Sequence, residues 1–331
     1  MRILVLGGTR FAGRALVDQA VSRGHDVTTF TRGEHGEPRP GAEALHGDRT
    51  KPEDLRTLGA RDWDAVIDVS AVTPAHVAAA ATLLAGHARH YTYLSSLAVY
   101  TGGSGGPLTE DSPVHDSPAD ATGAAESLSP ESPGYGPLKA GGERAVAAAF
   151  PGRHLIVRAS PLTGPHDQDG GLPRWLTRLA AGGDVLAPGR PDRPVLLTDA
   201  RDLAAWIVDS IRRRIAGVVN VPGPGGATFG GLLTLGLETV RAQAVAPATL
   251  VWTPDDVLLA EGVAPGADLP LWTPDPPGTP AVSGDRAQLA GLRYRALADT
   301  VHDTWGWLAT HPHGTAPGLD PSRERRILSL R

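Results

Sequence analysis

The chain has 331 residues, with 31 Lys and Arg against 36 Asp and Glu, 12 His and no cysteine. That length supplies one large core or two modest ones, and the missing cysteine excludes disulfides, thiolate nucleophiles and Cys-ligated zinc. A net charge of −5 without any long basic run argues against nucleic acid, and no apolar run nears the ~18 residues of a membrane helix, so a cytoplasmic protein with neither partner is expected.

Short aliphatic runs at 3–6, 27–30, 65–69, 91–94 and 155–157 read as strands. They alternate with helical patterns at 11–22, 75–88 and 135–150. Such alternation predicts parallel strands joined by helical crossovers, an α/β fold with a doubly wound, Rossmann-type sheet. Residues 101–133 lose all periodicity and read as one long loop. Beyond Arg158 the pattern predicts a helix near 172–181, short strands near 185–186 and 195–197, a helix from Asp199 and a strand at 218–221. The proline-rich stretch 272–280 cannot be regular structure, and a helix near 296–309 closes the fold. The expected division is a dinucleotide-binding domain over 1–158, its sheet completed by 195–221. A smaller substrate-binding lobe takes 159–194 and 222–310, and 311–331 is a loosely held tail.

Gly7-Gly8-Thr9-Arg10-Phe11-Ala12-Gly13 falls between the first strand and the first helix, where a dinucleotide pyrophosphate meets a helix N-terminus. Gly7 suits the tight turn and Gly13 the close packing of helix on sheet. Arg10 replaces the middle glycine of the usual G-x-x-G-x-x-G spacing and adds a cation. A purely structural turn is the competing reading. At the end of the second strand an NAD site usually carries an acid for the ribose 2′-hydroxyl, yet this chain has Arg32. A guanidinium pairs well with a 2′-phosphate, so NADP(H) is expected in preference to NAD(H), with a solvated surface arginine as the alternative. Asp48 either accepts from the adenine amino group or caps a helix starting near Pro52. The full set expected around the cofactor is Gly7, Thr9, Arg10, Phe11, Gly13, Arg32, Asp48, Arg49, Ala71 and Ser160.

Tyr93-Leu94-Ser95-Ser96-Leu97-Ala98-Val99-Tyr100 and Tyr135-Gly136-Pro137-Leu138-Lys139 carry a resemblance. The chain resembles the extended branch of the short-chain dehydrogenase/reductase superfamily, the NAD-dependent epimerase/dehydratase-like proteins, from residue 1 to about 309. Arg158-Ala-Ser-Pro-Leu-Thr-Gly164-Pro165 and Asp199-Ala-Arg-Asp202-Leu-Ala look like two further stretches of that family. The resemblance implies Ser96, Tyr135 and Lys139 as the catalytic Ser, Tyr and Lys. The chemistry is consistent with it: a phenol with a pKa of about 10 is a poor base at neutral pH and needs a nearby ammonium. Tyr135 and Lys139 are spaced i, i+4, on one helix face. In this scheme Ser96 and Tyr135 bind a substrate carbonyl oxygen, Tyr135 moves the proton, and Lys139 stabilises the phenolate and holds the ribose. Of the 31 basic residues only Lys51 and Lys139 are lysine, which marks Lys139 as a place where guanidinium does not serve.

Ser96-Leu97-Ala98 stands where the family's dehydratases carry Thr-Asp-Glu, so elimination is disfavoured. The chain has a single asparagine, Asn220, in a predicted strand, which speaks against asparagine-held nucleotide sugars. Three readings follow in order: an NADPH-dependent carbonyl reductase acting on a small or polycyclic organic substrate, an NAD-dependent sugar epimerase, and a non-catalytic NADP-binding regulatory protein. Candidate substrate contacts are Ser95, His115, His166 and Trp175, with Ser160 to Thr163 and the region 252–272 also expected along the pocket. The histidines show no metal-ligand spacing, so no metal is expected. A small-molecule substrate is the expected partner, and a homodimer is left open.

Overall fold

The computed structural model describes residues 1–34, 36, 38–69, 73–102, 106–122, 132–168, 170–275, 278–311 and 318–330. In chain order its elements begin with β1 (Arg2–Leu6), α1 (Phe11–Ser22), β2 (Asp26–Thr31), β3 (Ala42–His46), α2 (Pro52–Arg56), β4 (Ala65–Asp68) and α3 (Pro74–Leu84). They continue with β5 (Tyr91–Ser96), α4 (Tyr135–Ala149), β6 (His154–Ala159), β7 (Leu162–Thr163), α5 (Gly171–Ala181), β8 (Gly183–Pro188) and β9 (Thr198–Asp199). The last are α6 (Ala200–Arg212), β10 (Gly217–Val221), α7 (Phe229–Val240), β11 (Ala248–Thr253), α8 (Asp255–Ala260), α9 (Asp285–Leu289), α10 (Leu297–Thr310) and α11 (Pro321–Leu328). Two compact units divide the chain. Met1–Ser160, Ala200–Pro222 and Ala281–Arg293 form the first; Pro161–Asp199, Gly223–Pro280 and Tyr294–Arg331 form the second.

In the first unit seven strands make one parallel sheet in the order β10-β6-β5-β4-β1-β2-β3, the doubly wound, Rossmann-like arrangement expected from the alternation. β1 and β4 are buried along nearly their whole length, which is why they read as unbroken apolar runs. The strand order reverses around β1, which pairs with β2 on one side and β4 on the other, and open α/β sheets take ligands outside the carboxyl ends at such a switch point. The register aligns those ends: Leu6 sits opposite both Phe30 and Asp68, Asp68 opposite Tyr93, and Ser96 opposite Ala159. Gly7, Arg32, Ser96 and Ser160 therefore follow or end strands at one edge of one sheet.

The seventh strand is β10, whereas Val195 and Leu197 belong to the core of the second unit. Residues 281–293 belong to the first unit, not to the lobe in which sequence reading placed them. The reason is a set of contacts with the loop after β5. Leu108 N donates to Ala281 O, Ser283 N donates to Leu108 O, and Arg286 pairs with Glu110 and Asp111. That loop is accordingly anchored where it is described: His115 N donates to Val99 O, and Arg144 of α4 donates to the carbonyls of His115 and Ser117.

The second unit packs α5, α7 and α10 with the parallel pair β8 and β11 around Leu176, Leu179, Val185, Phe229, Leu233 and Val301. α7 is absent from the sequence reading because three glycines in FGGLLTLGLETV hide the helical period, and β11 because it runs into the stretch read as irregular. One of the glycines, Gly236, packs closely on α5: a Cβ there would lie 2.7 Å from Leu179 Cδ1, so that leucine would have to shift to admit one. The expectation of a loose tail over 311–331 is corrected for its described part. Asp320 caps α11 by accepting from the N–H groups of Ser322 and Arg323, and Pro321 starts the helix rather than breaking it. α11 then buries Ile327 in the core, and Glu324 accepts from Arg178 and Leu186 N.

Candidate active site

The glycine turn bares the backbone at the start of α1. Gly7 and Gly8 both have positive φ, 109° and 115°. A Cβ on Gly8 would lie 2.8 Å from Thr29 Cγ2, and one on Gly13 2.6 Å from Gly8 N, so each must be glycine for helix and strand to approach this closely. The α1 N-terminus has no acidic residue in its first turn, and Arg10, its N-cap residue, makes no side-chain cap. Phe11 begins the helix at φ 21°, and Thr9 lies beside Gly36, whose Cβ would meet Thr9 O at 2.7 Å. A bare helix N-terminus against a crowded glycine cradle is a fit for the pyrophosphate of a dinucleotide.

Arg32 is exposed beyond β2 and its Nε lies 3.1 Å from Glu34 Oε2. The guanidinium is thus shared with a carboxylate that sequence reading passed over. Asp48 Oδ1 accepts from both the N–H and the hydroxyl of Thr50, at 2.9 and 2.8 Å, so it closes its own turn and does not cap α2, whose N-cap is Lys51. Those bonds hold its carboxyl below the usual range. Arg49 turns inward: its two terminal nitrogens each lie 2.8 Å from an oxygen of Asp68, a fully buried residue. Ala71 lies outside the described residues. Ser160 is buried after β6, with its N–H donating to Val221 O.

β5 ends in two serines that strand alternation sends to opposite faces. Ser96 Oγ accepts from Ala98 N at 3.1 Å and caps the 3₁₀ turn Leu97–Val99. α4 starts directly against that turn: a Cβ on Gly136 would overlap the Ala98 carbonyl oxygen. Tyr135 and Ser96 are thereby brought to one corner. One turn on, Lys139 is only 3% exposed and donates from Nζ to Leu94 O at 2.7 Å. Its Nζ lies 5.8 Å from the centroid of the Tyr135 ring and 4.7 Å from that of Tyr93. Burial pulls the Lys139 ammonium down to about 8; Asp68 and Glu143 counter this and Arg49 adds to it.

Ser95 faces the interior and donates to Glu143 Oε1 at 2.6 Å. Glu143 also takes Arg158 Nη2 at 2.7 Å, and Arg158 Nη1 reaches Tyr100 Oη at 3.0 Å. Tyr100 donates to Asn220 Oδ1 at 2.7 Å, so the single asparagine is committed inside the sheet. Sequence reading named Ser95 as a substrate contact, whereas its hydroxyl belongs to this interior network. It missed Glu143 and Asp68; the signal available for Glu143 was its i+4 spacing after Lys139. His115 Cδ2 would lie 3.2 Å from a Cβ on Gly136, at the start of α4.

Two further candidates lie in the second unit. Trp175, expected as a substrate contact, is core: 3% exposed, with Nε1 donating to Pro270 O at 2.8 Å and its ring edge-on to Phe229. His166 adopts φ 69° and packs 5.3 Å from the Trp307 ring. Among the described residues no group of three or more His, Asp or Glu could hold a metal, and no helix is long and apolar enough to cross a membrane.

The model of the NAD dependent epimerase/dehydratase family matches residues 3–221. Three solved structures share the fold. The Bordetella bronchiseptica enzyme WbmH in complex with NAD+ is 15% identical, with 93% of this chain and 98% of that chain covered and a TM-score of 0.70. UDP-glucuronic acid 4-epimerase from Bacillus cereus in complex with NAD is 16% identical, with 94% and 99% covered and a TM-score of 0.68. UDP-glucose 4-epimerase from Thermotoga maritima with UDP-glucose is 17% identical, with 95% and 100% covered and a TM-score of 0.68. No curated protein matches the chain.

Proposed function

The chain belongs to the NAD dependent epimerase/dehydratase family, and from that premise we propose that it is an NAD-dependent epimerase that inverts a secondary alcohol carbon of a sugar. The observation that carries this reading is the corner formed by Ser96, Tyr135 and Lys139, with the lysine buried 5.8 Å from the tyrosine ring. Bound NAD would supply the hydride-accepting and hydride-donating chemistry at nicotinamide C4. The chain's own residues do the rest. Ser96 Oγ and Tyr135 Oη hold the substrate oxygen. Tyr135 takes its proton on oxidation and gives it back on reduction, and the Lys139 charge stabilises the intervening phenolate. Inversion requires that the ketone present its other face before reduction. Gly7, Gly8, Gly13 and the α1 N-terminus would hold the pyrophosphate, and Lys139 the nicotinamide ribose.

Elimination has no support, because Leu97 and Ala98 supply no acid or base after Ser96. Asn220 is buried on Tyr100, so a nucleotide on the substrate would be held by other residues. The cofactor expectation from Arg32 alone is revised in favour of NAD. Glu34 sits on the Arg32 guanidinium, where its charge opposes a 2′-phosphate, and family membership points the same way. A second reading, an NADPH-dependent ketoreductase, keeps one observation in its favour, the exposed arginine at the end of β2. Measuring dissociation constants for NADH and NADPH separates the two. NADH is expected to bind more tightly, and Glu34→Ala to narrow the gap; tighter NADPH binding by the unaltered protein would replace the first reading with the second.

A further inference from the structure

Tyr93 and Leu94 precede the two serines that end β5, and both touch Lys139. The Leu94 carbonyl accepts from Nζ at 2.7 Å, and Nζ stands over the Tyr93 ring, 4.7 Å from its centroid. Tyr93 is fully buried, and burial pushes its phenol well above the ordinary value. The side chain is therefore neutral wherever the lysine titrates and meets the ammonium with its ring face. Strand alternation turns Tyr93 and Ser95 to the same side of the sheet, towards α4, where Ser95 reaches Glu143. α4 is shaped to receive the ring. A Cβ on Gly142 would lie 2.5 Å from Tyr93 Oη and 2.9 Å from Cζ, and Lys139 stands three residues earlier on the same helix face. The helix thus sets its ammonium over the ring and clears the hydroxyl end with a glycine. Tyr135, one turn before the lysine, brings a second ring to 5.8 Å from Nζ.

We propose that Tyr93 is a positioning residue for Lys139: its ring face attracts the buried ammonium and holds it beside Tyr135. An aromatic face draws a cation through the ring quadrupole, and the attraction grows when both partners are out of water, as they are here. One strand then serves both halves of the corner. β5 delivers Ser96 at its end and steadies the lysine through residues 93 and 94. The inference rests on the reading of Lys139 as the partner of Tyr135, but its test needs neither substrate nor cofactor.

Lys51 is exposed, so Lys51→Arg leaves Lys139 as the single lysine, and its ¹³C-labelled side chain gives one NMR titration curve. Burial brings the ammonium down to about 8, within easy reach of such a titration. The charged groups that act on it are Asp68 of β4, Glu143 of α4 itself and Arg49 of the loop after β3, and all three are kept in every variant. Tyr93→Phe retains the ring face and is expected to leave the midpoint nearly unchanged. Placing singly, doubly and triply fluorinated phenylalanine at the same position weakens the ring quadrupole at almost constant volume, so the fold survives where Tyr93→Leu would open a cavity. Across that series the midpoint is expected to fall stepwise, by about one unit in all, a tenfold loss of proton affinity. A midpoint that stays constant through the series would overturn the proposal and leave Tyr93 as core packing alone. A stepwise fall in a protein that inverts no sugar upholds the positioning role and removes the functional reading. Sugar inversion with a constant midpoint does the reverse.

Discussion

Tyr135→Phe is expected to lower kcat by about 10²–10⁴-fold while leaving NAD affinity nearly unchanged. In the proposed mechanism the phenol exchanges a proton with the substrate oxygen and draws on Lys139, whose Nζ lies 5.8 Å from its ring. Phenylalanine keeps the ring, and with it the packing at the start of α4, so the loss is chemical and not conformational. Under the same mechanism Ser96→Ala removes one of two groups proposed to hold that oxygen and should cost less. Steady-state rates combined with NAD titration of each variant check this. Full activity of Tyr135→Phe would remove the tyrosine from the mechanism.

The second large effect is on stability. Glu143→Ala leaves the Arg158 guanidinium, 5% exposed, without its carboxylate and the Ser95 hydroxyl without its acceptor. Breaking a buried pair from one side costs about 3–5 kcal/mol, because the remaining charge cannot reach water. Glu143→Leu with Arg158→Met removes both charges and should recover most of that loss, since a buried ion pair and apolar groups of similar volume are often close in energy. Urea unfolding of the parent, the single variant and the double variant supplies the comparison. A single variant as stable as the parent would show that the network contributes nothing to folding.

The Rossmann-like sheet was legible in the sequence because its central strands are buried and read as short apolar runs, separated by longer helix-length segments. The Ser96, Tyr135 and Lys139 corner was legible because a motif at a strand end and an i, i+4 pair are local patterns. What escaped was set by partners far along the chain. Nothing near Arg49 announces that it turns inward to Asp68, 19 residues away. Trp175 carries the same indole whether it meets a substrate or Phe229, and only packing decides. α7 was hidden by the three glycines that break its apolar period, and α11 lies in a stretch read as a tail because its polar, arginine-rich sequence carries few apolar residues. At Arg32 the local rule pointed to NADP; the neighbouring carboxylate of Glu34, two residues beyond, changes the electrostatics of the same spot.

The central claim is that this corner inverts an alcohol carbon with cofactor that is neither consumed nor released. The direct measurement is to incubate the purified protein with a panel of sugars and nucleotide sugars and follow inversion at each carbon by proton NMR, while monitoring NADH and NADPH by absorbance. The account predicts inversion of at least one substrate without net cofactor turnover, and its loss in Tyr135→Phe. Stoichiometric consumption of NADPH with a ketone, with no inversion anywhere in the panel, would contradict it.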